Sequence, residues 1–196
     1  MSSLKTTNIL NPSSTTNNIV LAADGSTTIS TLTATTIQGT IKSGTAVAST
    51  SGTSIDFTGI PSWVKRVTVA FYGVSTNGSS NPLVQIGSGS LATSGYVANS
   101  GTIQNAGSSA TNSYTAGFGL SSANASNVIY ATMTIVAIGS SNYVQSHAGA
   151  ITTSGVFPVY GGGGVNLSGT LDRVRITTVN GTDTFDAGSI NILFEG

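Results

Sequence analysis

Asp56-Phe57-Thr58-Gly59-Ile60-Pro61-Ser62-Trp63-Val64-Lys65-Arg66-Val67-Thr68-Val69-Ala70-Phe71-Tyr72 holds the only Trp, the only adjacent basic pair and one of the densest apolar runs of the chain. Pro61 fixes its own φ and pushes Ile60 toward an extended backbone, so Gly59 to Pro61 reads as a turn. Beyond it, period-2 geometry puts Trp63, Lys65, Val67, Val69 and Phe71 on one side of a strand and Val64, Arg66, Thr68, Ala70 and Tyr72 on the other. Both rows become apolar toward the end. The stretch predicts a long core strand covered on both faces there, with its basic beginning near water.

A second run, Asn127 to Ile138, carries a strict apolar row at Ile129, Ala131, Met133 and Ile135, with Tyr130, Thr132 and Thr134 opposite. Alternation over that length decides for strand over helix. Shorter strands are expected at Leu83–Gly87, Gly95–Ala98, Thr102–Gln104, Ser113–Phe118 and Asn142–Ala148, separated by Gly, Ser and Asn turns. Leu171 to Thr178, a Val179-Asn180-Gly181-Thr182 turn and Phe185 to Phe194 read as a terminal hairpin, with Ile190, Ile192 and Phe194 toward the core. The fold expected is all-β: an antiparallel β-sandwich, jelly-roll-like, over residues 41–196, preceded by an extended N-terminal arm, residues 1–40.

The arm is too poor in apolar residues to bury a core of its own. A turn cluster, Asn11 to Asn18, leads to the short apolar run Ile19-Val20-Leu21 and then to a Thr-rich stretch that favours extended backbone. Asn11, Pro12, Ile19, Val20 and Leu21 are therefore the expected attachment residues, the most rigid and most apolar pieces of the segment. A disordered tail is the alternative.

Charged residues are 6% of the chain, against roughly 25% in an average soluble domain. Hydroxyls and amides take their place, a surface that stacks on copies of itself without burying many charges. The formal net charge is zero, which gives no electrostatic case for nucleic acid or an anionic membrane. No apolar run approaches the roughly 20 residues of a membrane span, and Met1 to Asn8 lacks the pattern of a secretory signal. With no Cys, disulfides and thiolate chemistry are excluded.

Three segments resemble bacteriophage tail fibres and related virion proteins. They are Asn11-Pro12-Ser13-Ser14-Thr15-Thr16-Asn17-Asn18-Ile19-Val20-Leu21-Ala22-Ala23-Asp24-Gly25-Ser26, the block from Ser54-Ile55-Asp56-Phe57 to Val74-Ser75-Thr76-Asn77-Gly78, and the ending Thr184-Phe185-Asp186-Ala187-Gly188-Ser189-Ile190-Asn191-Ile192-Leu193-Phe194-Glu195. Together they cover less than half of the chain. The resemblance implies an N-terminal attachment segment and a C-terminal β-domain, commonly trimeric, on a virion beside other tail or capsid proteins. No shaft repeat is present, so a short fibre or fibre-like appendage is the expectation. A capsid decoration protein is the second reading, and a carbohydrate-binding module for host-surface glycans is a reading of another class.

Little in the chain suggests catalysis. His147 is the single histidine, with no partner carboxylate close in sequence, and is expected at a surface or interface. Asp172, Asp183, Asp186 and Glu195 cluster near the C-terminus, where a carboxylate pair could serve glycoside hydrolysis or a calcium ion. Ion pairing of Asp172 with Arg173 and turn chemistry at Asp183 are the preferred readings. Gly161-Gly162-Gly163-Gly164 lacks the Lys and the helix of a phosphate cradle and reads as a flexible loop. Tyr96, Tyr114, Tyr143 and Tyr160 are candidates for stacking on a sugar ring, with strand tethering by buried tyrosines as the alternative. No catalytic, cofactor-binding or metal-binding residues are assigned.

Overall fold

The computed structural model describes residues 41–103, 109–152 and 154–196. Before them it describes the backbone of three short strands, β1 (Asn8–Ile9), β2 (Ile19–Leu21) and β3 (Thr27–Ile29). The chain divides into two units, Met1–Gln38 and Gly39–Gly196. In the first, β2 lies between β1 and β3, antiparallel to both, with Val20 opposite Asn8 and Thr28. Ile19, Val20 and Leu21 thus form a middle strand, while Asn11 and Pro12 lie outside the described residues.

In the second unit the strands are β4 (Ile41–Ser43), β5 (Val47–Ala48), β6 (Ile55–Thr58), β7 (Arg66–Thr76), β8 (Pro82–Ser88), β9 (Ser90–Leu91) and β10 (Val97–Ile103). They continue with β11 (Ser109–Tyr114), β12 (Phe118–Gly119), β13 (Val128–Ala137), β14 (Asn142–Thr152), β15 (Val156–Asn166), β16 (Arg173–Thr178) and β17 (Phe185–Glu195). There is no helix among the described residues. One sheet has nine strands, in the order β11-β10-β15-β14-β13-β7-β17-β4, with β5 also on β17. The other has five, in the order β12-β8-β16-β6, with β9 on β8. A single apolar core draws Val69, Met133 and Ile192 from the large sheet and Val84, Ile86 and Ile176 from the small one. The unit is an antiparallel β-sandwich.

The pairing nests as in a jelly roll. β7 pairs β17, β8 pairs β16, β10 pairs β15 and β13 pairs β14, each pair enclosed in sequence by the one before. The chain crosses between the sheets from β7 to β8 and again from β16 to β17. The innermost hairpin, β13–β14, stays in the large sheet between β7 and β15 and so widens it.

Period-2 patterning positions most of the core. Val67, Val69 and Phe71 of β7 point inward, as do Ile129, Ala131, Met133 and Ile135 of β13 and Ile190 and Ile192 of β17. Each fully buried side chain of this size contributes roughly 1.5–3 kcal/mol. Phe194 packs against the core half-buried. In β7 the alternation changes phase at Gly73, whose φ of 65° suits a residue without Cβ. Val74 then pairs with Ile129 while Tyr72 pairs with Tyr130, so Gly73 is a bulge and both Phe71 and Val74 face the core. Covering on both faces begins only past this bulge, at Val74, Ser75 and Thr76, and Tyr72 is 71% exposed.

Three expectations are corrected. Trp63 is 38% exposed rather than a core residue. The strand starts at Arg66, and Val64 N–H donates to the Pro61 carbonyl at 3.0 Å, so a turn breaks the alternation and sends Val64 inward instead. The last two strands form no hairpin, since β16 pairs with β8 and β6 in the small sheet while β17 pairs with β7, β4 and β5 in the large one. Gly161 to Gly164 are strand residues in the middle of β15, paired to β14 on one side and β10 on the other.

Candidate functional site

The glycine run of β15 shapes the most polar part of the core. Gly161 lies opposite His147 of β14 on one side and Ser100 of β10 on the other, so the three form one row across three strands. A Cβ at Gly161 would fall on the Asn99 carbonyl and the His147 ring. Its absence leaves a trough through which His147 Nε2 reaches Ser100 Oγ, at 3.0 Å. Gln145, two residues along β14, places its amide nitrogen 2.7 Å from His147 Nδ1. Ser121, just past β12, closes the network: its N–H donates to Ser100 Oγ at 2.9 Å and its hydroxyl to the Ser100 carbonyl at 2.8 Å.

This arrangement resembles a nucleophile–base pair in geometry but not in chemistry. With the Gln145 amide N–H donating to Nδ1, the ring proton sits on Nε2 and Ser100 Oγ is an acceptor from both His147 and Ser121. Turning the amide over would reverse the proton order. Either way Gln145 keeps one amide atom without a partner among the described residues, as its Oε1 is here. Ser100 is 1% and His147 5% exposed, out of a substrate's reach. His147 is thus buried, not the surface or interface histidine expected. Loss of hydration pushes its pKa down to about 4, so the ring is neutral near pH 7.

The C-terminal carboxylates are individually engaged. Asp172 accepts from Arg173 Nε at 2.7 Å and from Gly89 N–H at 3.0 Å, and the guanidinium holds its carboxyl below the usual range. Asp183 accepts from Ser80 N–H at 2.8 Å and Asn180 Nδ2 at 2.6 Å in the β16–β17 connection. Asp186 accepts from the Ser75 hydroxyl, Glu195 from Arg66 Nε at 2.7 Å, and Asp56 from Arg175 in a two-pronged pair at 2.6 and 2.7 Å. No group of three or more His, Asp or Glu that could hold a metal ion occurs among the described residues.

Of the tyrosines proposed to stack on sugar, three are core residues. Tyr96 accepts from Ile86 N–H at 2.8 Å and packs edge-on against Phe118, and burial pushes its phenol up to about 12. Tyr143 accepts from Leu171 N–H at 2.7 Å. Tyr114 is also buried, its hydroxyl 3.4 Å from Ser121 Oγ. These rings tether strands and present no face to solvent. Tyr160 alone is exposed, on the outer face of the large sheet.

That outer face is the largest feature the motifs did not reveal. Residues alternating with the buried rows of β10, β13, β14 and β15 include Val97, Ile103, Tyr130, Val144 and Tyr160, all exposed, beside Thr132, Ser146 and Ala148. Tyr130 continues edge-on to Tyr72 of β7, with ring centroids 5.4 Å apart. No Asp, Glu, Lys or Arg occurs from Val67 to Leu171, so these four strands are without charge. The large sheet's charged residues lie on β4, β7 and β17, at its other side: Lys42, Arg66, Asp186 and Glu195.

No family model, curated protein or solved structure matches this chain.

A second surface feature lies where the β10–β11 hairpin, the β12–β13 connection and the β14–β15 turn meet. It is a pocket of about 430 Å³ lined by amides and hydroxyls, with Phe157 and Ile151 supplying apolar surface. Asn81 Oδ1 fixes one wall by accepting from Ser122 N–H at 2.7 Å, and Asn112 Nδ2 fixes another by donating to Ser121 Oγ at 3.0 Å. Ser121 joins this pocket to the His147 network beneath it. Sequence reading missed these residues because Asn and Ser are common turn formers here, and nothing local marks those that converge.

Proposed function

We propose that the chain is a structural, non-catalytic component of a multi-copy particle: a bacteriophage virion protein of the fibre or appendage type, working as a homotrimer on the virion. The observation that carries this reading is the charge-free outer face that β10, β13, β14 and β15 give the large sheet. A free soluble domain keeps its solvated sheet face polar and interspersed with charge, which opposes association. A neutral face with exposed Val, Ile and Tyr meets a copy of itself without burying a charge or opposing like charges. The resemblance of the N-terminal, central and C-terminal segments to phage virion proteins supports the same reading. Its attachment device is the segment before the sandwich, with Ile19, Val20 and Leu21 as anchors beside other virion proteins.

Particle assembly tests this assignment. Changing Ile19, Val20 and Leu21 together to Ser should leave the sandwich's melting unchanged while particles assembled with the variant lack the protein. Unchanged occupancy would place the attachment surface on the sandwich, and the capsid-decoration reading would replace the fibre.

A further inference from the structure

We propose that the pocket between the β10–β11 hairpin, the β12–β13 connection and the β14–β15 turn binds a neutral saccharide. This inference rests on the pocket alone and not on the assembly reading. Its volume of about 430 Å³ falls within the range of small-molecule sites. Its lining excludes most other ligand classes. Among the described residues it contains no Lys, Arg, His, Asp or Glu, so neither an anion nor a metal ion finds a counter-charge in them. Amides and hydroxyls make it too polar for a purely apolar guest.

What remains is a neutral molecule dense in hydroxyl groups. An Asn amide offers donor and acceptor side by side, the complement of adjacent sugar hydroxyls, and Asn112 and Asn127 both line the space. One buried group there lacks a partner among the described residues. Ser122 is 5% exposed and its Oγ has no hydrogen-bond partner among the described residues. A buried polar group left alone is costly and calls for an explanation, and a ligand hydroxyl supplies the missing bond. Phe157, half-buried and packed against the core, gives the C–H face of a pyranose an apolar surface. The wall behind is held by Ser121 and its bonds to Ser100, so the site is formed in advance and little ordering opposes binding.

Saturation-transfer NMR on the full-length chain tests the proposal. The probes are the methyl glycosides of glucose, galactose, mannose, N-acetylglucosamine and N-acetylgalactosamine, with sialyllactose as a charged comparison. At least one neutral glycoside should bind in the millimolar range. Ser122→Ala should weaken it about tenfold, the loss of one hydrogen bond, without lowering the melting temperature. Ala123→Trp, which fills the pocket from its exposed rim, should abolish binding with the fold intact. The proposal is overturned if no neutral glycoside binds, if sialyllactose binds more tightly than all of them, or if binding survives both substitutions.

Discussion

Lowering the pH from 7 to 4 should destabilise the sandwich through one residue, His147. The folded state holds the ring neutral, with a pKa pushed from 6.5 to about 4 by burial. Unfolding returns it to water, where it takes up a proton below about pH 6.5. Between those values the unfolded state binds more protons than the folded state, so stability rises with pH across the window and falls as acid is added. The full contribution is present above pH 6.5 and is lost by about pH 4. A shift of this size corresponds to about 3 kcal/mol, a large part of the roughly 5–15 kcal/mol of a typical domain. Asp172 does not blur the window. Arg173 depresses its carboxyl below 3.8, so its contribution is lost only at still lower pH. Urea melts at several pH values should give a steady decline below pH 6.5, and His147→Gln should remove the slope. NMR titration of the single imidazole should give a midpoint near 4. A flat wild-type profile from pH 7 to 4.5, or an imidazole midpoint near 6.5, would refute the reasoning.

Two substitutions probe packing. Ile135→Ala, at a site 1% exposed in the middle of β13, should cost about 2–5 kcal/mol in denaturant melts, and a change near zero would sink its place in the core. Gly161→Ala puts a methyl group on the Asn99 carbonyl and the His147 ring. It should cost roughly 1–3 kcal/mol and move the His147 resonances, whereas a loop glycine would tolerate it.

The parts of the fold legible in the sequence are those written in local alternation. Ile129 to Ile135 and Val67 to Phe71 showed their buried rows because each inward side chain is apolar and each neighbour is small or polar. Trp63 misled because a turn interrupts the period before Arg66, and composition alone does not mark where a strand starts. Gly161 to Gly164 read as a loop because Gly is depleted in strands. Its reason for being in one, clearance between His147 and Ser100, lies on two other strands. The pairing of β16 with β8 rather than β17 is set by the sandwich crossing, which a short Asn-Gly turn between two apolar runs conceals. The pocket was illegible for the same reason: Asn81, Asn112, Ser122 and Asn127 become one site only when three separate connections meet.

Light scattering of the full-length chain, beside the variant Ala148→Lys, tests the central claim most directly. Ala148 is exposed on the neutral face between Thr132 of β13 and Tyr160 of β15, so a lysine there puts charge into the proposed contact. The wild type should run at three times the 19.5 kDa chain mass, and the variant should run as a monomer with the same melting temperature. A wild type that stays monomeric at high concentration would contradict the account, as would a variant that assembles unchanged.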